Sequence, residues 1–127
     1  MAGAFNTPHT HKKHYERIAE VCHEINKIYC ETLGDMSQSP WLYADDNLKA
    51  SAIDGVAYSM EHNTCPEKSH ENWRRFRDAE GWTYGEEKNY DKKEHPCMID
   101  YDKLPVEQRN KDMLFTIICD GFKEVLK

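Results

Sequence analysis

No Cys-x-x-Cys pair, no glycine-rich phosphate loop and no Gly-x-Ser-x-Gly elbow occurs in this sequence, and no apolar run approaches the roughly 20 residues of a membrane span. Each absence removes a class of function. The five cysteines, Cys22, Cys30, Cys65, Cys97 and Cys119, are an odd number without paired spacing, which fits neither a secreted disulfide framework nor a zinc ribbon. Reduced thiols are expected. His9, His11 and His14 crowd a polar N-terminal stretch, while His23, His62, His70 and His95 are scattered without the HxxxH spacing of a metal helix. Neither a metal nor another cofactor is implied.

A basic surface is also lacking. The formal charge of −6 and pI near 5.6 describe a solvated acidic surface, which disfavours duplex nucleic acid as a partner because phosphate binding needs cations. The opening MAGAFNTPHTHKKH has no apolar middle of the kind a signal peptide needs. A soluble, cytoplasmic protein with no membrane partner is therefore expected, its 127 residues forming one domain.

What is present is helical period. From Tyr15 the residues Ile18, Cys22, Ile25, Tyr29 and Leu33 recur in steps of three and four, one stripe of an amphipathic helix that Gly34 should stop. A connection follows, with Ser39 held extended before Pro40 and Asp45 or Asp46 available to cap a second helix. That helix carries Leu48, Ala52, Ile53, Val56, Ala57 and Met60 on its apolar face, and Gly55 either weakens it or admits a close neighbour. Pro66 suits the first turn of a third helix over about 66–80, closed by Gly81. Pro105 opens a fourth, with Val106, Met113, Leu114, Ile117, Ile118, Gly121 and Val125 at helical spacing. The fold class read from this pattern is all-α, about four helices, with residues 1–13 as a flexible tail and 14–127 as the domain. His-Glu recurs at 23–24 and 70–71, which allows a degenerate duplication.

Residues 81–105 interrupt the pattern. A connection this long inside a small domain is either functional or disordered, and disordered tracts are poor in aromatics. This one holds Trp82, Tyr84, Tyr90 and Tyr101. An ordered loop folded over the helices is expected.

The residues able to carry chemistry cluster around it. His70, Trp73 and Arg77 lie three and four apart, hence in one line on the third helix, with Arg74 beside them. An aromatic plate next to guanidinium groups suits a ligand with a flat ring and an anionic group, such as a nucleotide. The same residues also fit a core tryptophan and a salt-bridging face beside Glu67, Glu71 and Asp78. Trp82, Tyr84, Lys93 and His95 admit both readings too, as ligand contacts or as pins of the loop. No catalytic constellation stands out: Cys97 near His95 is not a nucleophile–base pair on proximity alone, and His70 or His95 as a base lacks an accompanying nucleophile or metal motif.

HENW at 70–73, GWTYG at 81–85, HPCMIDY at 95–101 and KLP at 103–105 resemble, in order and spacing, the RyR domain, the repeat of ryanodine receptors that also stands alone in bacterial and phage proteins. The resemblance covers about residues 66–120. IAEVCHE at 18–24 looks like the segment that leads into the family's His-Glu-x-Trp, but continues as Ile25-Asn26 without the Trp. After Leu104-Pro105 the family's charged pairs are matched in charge, by Glu107, Arg109, Lys111 and Asp112, though not position for position.

The resemblance implies a compact helical module, its loop held by its own aromatics, with no catalytic activity. In the receptors the paired repeats accommodate an adenine nucleotide near the Trp that corresponds to Trp73, and prokaryotic copies accompany proteins that signal with nucleotides or defend against phage. The expected function is thus a non-enzymatic module that binds a nucleotide-like small molecule, sensing or sequestering a messenger. In it Trp73 would stack on the base with Trp82 or Tyr84 as a second plate. Arg74, Arg77 or Lys93 would meet phosphate, and His70, His95 and Tyr101 would supply hydrogen bonds. The other expectation is a protein-interaction or assembly module, including a homo-oligomer, in which these aromatics are internal staples.

Overall fold

The computed structural model describes residues 8–126 and contains four helices: α1 (Pro8–Thr32), α2 (Asp46–Glu61), α3 (Pro66–Ala79) and α4 (Val106–Val125). Helix α1 starts within the stretch read as a tail, and residues 1–7 of that reading lie outside the described residues. The local stop signals act where the sequence has them. Asp45 caps α2, its side chain accepting the Leu48 N–H at 2.8 Å, and Pro66 sits in the first turn of α3.

Two helix–turn–helix units repeat one another in detail. In the first, Gly34 adopts φ 88° and donates to Glu31 O, while the Asp35 N–H reaches back to Cys30 O at 2.9 Å. In the second, Gly81 adopts φ 93° and donates to Asp78 O, while the Trp82 N–H reaches Arg77 O at 3.0 Å. Both ends are the paired-bond cap that a left-handed glycine permits. His23 Nε2 then meets Ser39 O at 2.7 Å just before a 3-10 turn at Trp41–Tyr43, as His70 Nε2 meets Ile99 O at 2.8 Å before a 3-10 turn at Tyr101–Lys103. The recurrence of His-Glu in the sequence is the trace of this duplication. Each first helix packs on its own second helix and on the second helix of the other unit, and α2 also meets α4, the arrangement an approximate two-fold relation gives.

Tyr15, Ile18, Ala19 and Cys22 of α1 build the core with Trp41, Val56 and Cys119, and Ile53, Phe115 and Phe122 pack around them. Gly55 serves close approach: a Cβ there would lie 3.2 Å from the Phe115 ring. Two stripes differ from expectation. Ile25 of α1 and Leu33, just past its end, are exposed, because Ala19 and Cys30 turn a neighbouring face inward. In α4 it is Phe115, Ile118, Cys119 and Phe122 that face the core, leaving Val106, Met113, Ile117 and Val125 exposed. Apolar residues lie all round this helix, so spacing alone does not select the buried face.

The long segment is ordered. Trp82, Met98 and Leu104 are buried, and two short parallel strands, β1 (Thr83–Tyr84) and β2 (Glu94–His95), pair Thr83 with Glu94 and Tyr84 with His95. Gly85 is needed there, since a Cβ would fall 2.5 Å from Glu94 Cβ. No helix among the described residues is long and apolar enough to cross a membrane.

Candidate ligand-binding cleft

The helical spacing of His70, Trp73 and Arg77 delivers the expected line of side chains, and the loop folds across it. His70 is 3% exposed and stacks on Trp73 with ring centroids 5.6 Å apart and planes 21° apart. His95, brought in by β2, meets Trp73 edge-on at 5.0 Å and Trp82 at 6.3 Å. Trp82 in turn takes the Arg77 guanidinium over its ring at 5.3 Å and the Tyr90 ring at its edge. From His70 to Tyr90 the rings therefore form one unbroken row.

This row walls a cleft of about 660 Å³ that His70, Trp73, Arg77 and His95 all line. An adjoining hollow of about 310 Å³ is lined by Arg77, Trp82 and Tyr90 with Asp45, Asp46 and Leu48 from the start of α2. Arg77, Tyr90, Asp45 and Leu48 border both, so the two are continuous. The size is that of a small-molecule site. Four of the residues singled out in the sequence line neither space. Arg74 pairs with Asp100 at 2.9 Å, and Tyr84 is 53% exposed on β1. Lys93, at φ 54°, spends its ammonium on Glu80 O at 2.7 Å and so pins the loop to the end of α3. Tyr101 is half-buried against His70.

Lys88, Tyr90, Lys111 and Asp112 line the cleft and were not singled out. They sit on the loop and on α4, and only the docking of those elements onto α3 gathers them. The charge after Leu104-Pro105 is the sequence signal for Lys111 and Asp112, and the aromatic content of the loop is that for Tyr90.

The electrostatics are distinctive. His95 is lowered to about 4, first by burial and then by Lys88, Arg77 and Lys111. The Cys97 N–H donates to His95 Nδ1 at 3.0 Å, so the ring is neutral and carries its proton on Nε2. Burial also lowers His70, and it pushes Asp112 up to about 7. The Cys97 thiol is raised by burial, which keeps it protonated and unreactive. Among the described residues no cluster of three His, Cys, Asp or Glu could hold a metal ion.

A family model described as the RyR domain matches residues 56–123, more than half of the chain. The chain belongs to the RyR domain family. In this RyR domain the match begins inside α2 and takes in α3, the signature loop and most of α4, hence the entire aromatic row. Residues before Val56 lie outside the matched stretch, yet they repeat its glycine cap, histidine bond and 3-10 turn. The departure at Ile25-Asn26 now has a structural meaning. Asn26 stands in the first unit where Trp73 stands in the second, and both side chains line the cleft.

Proposed function

We propose that this RyR domain is a non-enzymatic module that binds a nucleotide-like small molecule, sensing or sequestering a nucleotide messenger. The observation that carries the reading is Arg77. Its side chain is 12% exposed, its bond to Glu80 is a long 3.5 Å, and its buried Nε has no hydrogen-bond partner. A guanidinium largely withdrawn from water with its Nε–H unspent is costly until an acceptor arrives, and phosphate is one that Arg binds well. Trp73, one helical turn away, extends the row of rings on which a base can stack.

The test is thermal unfolding against mono-, di- and cyclic nucleotides. A ligand at about 100 times its Kd adds roughly 2.7 kcal/mol, enough to move the midpoint by several degrees. Trp73→Ala should weaken that ligand by about tenfold or more, the worth of one stacked base. A flat panel overturns the reading; an undiminished affinity in Trp73→Ala removes the stacking role.

A specific observation also favours assembly. Ile25 and Ile28 of α1 and Met113 and Ile117 of α4 are exposed, on two helices that meet along a seam bridged by the Asn110 to Tyr29 Oη bond of 3.0 Å. The corresponding seam of α2 and α3 is polar, joined by Asn72 to Asp54 at 3.1 Å with Arg75 bonded to Asn72. Sedimentation showing monomer at every concentration would remove this second reading.

A further inference from the structure

Met113, Ile117, Gly121 and Val125 follow one another along α4 at intervals of four, so they form one ridge on the helix surface, and all four are exposed. Lys111, Asp112 and Phe115, which α4 gives to the cleft, lie outside this row. Asn110, three residues before Met113, bonds Tyr29 of α1, which follows Ile25 by four. Helical spacing therefore puts the exposed Ile25 on the side of α1 that flanks the ridge, with Val21 and Ile28 one turn away on either side of it.

Gly121 has no cause within the chain. Gly55 is explained by the Phe115 ring, but a Cβ at Gly121 would meet nothing within 4 Å, and its backbone is not left-handed. A glycine inside a helix weakens it relative to alanine. What it offers in return is a place where a second backbone can come close. Ile117 projects from the ridge and Gly121 recedes from it, one turn apart. If a second copy is turned about a two-fold axis passing between them, each Ile117 falls over the other copy's Gly121, and each Met113 falls opposite the other copy's Val125. A projection and a hollow that fit each other under this rotation are what an isologous contact requires, and a different protein would have no need of both on one surface. Rows of this spacing pack on one another at a crossing angle of about −50°. The extent also suffices. The outward halves of α1 and α4, helices of 25 and 20 residues, supply about 20 residues, the number that a stable interface of about 800 Å² per copy takes.

Resting on the assembly reading, we infer that the partner is a second copy of this chain, docked ridge to ridge through α4 about a two-fold axis, with Ile117 of each copy seated on Gly121 of the other. The exposed side of α1 borders the contact. The residues that α4 gives to the cleft stay outside it, so each copy keeps its own ligand site.

The experiment is sedimentation equilibrium of the full chain from micromolar to millimolar concentration. A monomer–dimer equilibrium with no larger species is expected, since an isologous contact closes on itself. Gly121→Leu tells ridge packing from a merely apolar surface. An added leucine strengthens an ordinary apolar patch, but here it should raise the dimer Kd by about tenfold or more, because it fills the space that the other copy's Ile117 takes. Its monomer, with a better helix former and no neighbour within 4 Å of the new Cβ, should melt no lower than the parent monomer. Ile117→Lys should also raise the Kd by about tenfold or more. Leu42→Lys, on the exposed part of the first 3-10 turn, should leave it within about twofold. Monomer at every concentration would overturn this dimer and the assembly reading together. A dimer that Ile117→Lys leaves intact, that Gly121→Leu tightens, or that Leu42→Lys abolishes would overturn the ridge contact alone and move assembly to another face.

Discussion

His70 Nδ1 lies 3.8 Å from Asp112 Oδ2 on the wall of the cleft, too far for a hydrogen bond, with burial favouring the neutral form of each group. The Asp112 carboxyl titrates at about 7 in the fold against 3.8 unperturbed. A carboxyl raised in this way contributes its full stability below about pH 4, and that contribution is lost as pH rises to about 7. Asp112→Asn should therefore be more stable than the parent at pH 8, by on the order of 3 kcal/mol, with the difference shrinking towards pH 4. Urea midpoints at the two pH values measure this. A variant that is less stable than the parent at pH 8 would show that the carboxylate has a partner worth more than its desolvation.

His95 gives the opposite sign. Its ring titrates at about 4 rather than 6.5, so its stabilising contribution is present above about pH 6.5 and disappears as pH falls through 4. The expected loss across that window is on the order of 3 kcal/mol. The ring should stay neutral, protonated on Nε2, at pH 5.5 because Nδ1 is occupied by the Cys97 N–H. Long-range nitrogen–proton correlation of the imidazole measures it directly, and a midpoint at or above 6 would contradict the burial of this ring.

The two tryptophans of the row divide their labour. Trp82 is 5% exposed and anchors the loop between Arg77, Tyr90 and His95, whereas Trp73 is half-buried on the cleft wall. Trp82→Ala should lower stability by about 3–5 kcal/mol, the range for large aromatic deletions in cores. Trp73→Ala should lower it by distinctly less and act chiefly on binding. Denaturant unfolding of both variants separates the roles. Equal losses would make Trp73 as much a structural anchor as Trp82.

The helix ends were legible because their causes are local: Asp45 finds an N–H three residues away, and Gly34 and Gly81 turn the chain whatever surrounds them. The row on α3 was legible for the same reason, since helical spacing alone aligns His70, Trp73 and Arg77. Lys111 and Asp112 were not, because nothing near them in sequence says that α4 presents them to α3. The exposed side of α4 was misread where Ile117 and Phe115 compete for the core and only the approach of Gly55 decides for Phe115. Charge alone makes Lys93 an alternative to Arg74 and Arg77 for meeting phosphate, yet at φ 54° its ammonium is bonded to Glu80 O. Local chemistry is written in sequence order, and wall membership is written in docking.

Gly34 and Gly81 test the duplication itself. They adopt φ of 88° and 93°, and a Cβ at Gly34 would meet nothing within 4 Å while one at Gly81 would approach only Lys93 Cδ, at 3.9 Å. A substitution at either site therefore reports backbone strain with little steric contribution. Gly34→Ala and Gly81→Ala should each destabilise by about 1–2 kcal/mol, the cost of a left-handed non-glycine residue, and by amounts that agree within about 0.5 kcal/mol. The double variant should be additive, because each glycine closes a different helix by bonds within its own unit. Urea unfolding of the three variants measures this. If Gly34→Ala were neutral while Gly81→Ala was costly, the first unit's cap would be dispensable and only the second would be held to the geometry of the RyR repeat.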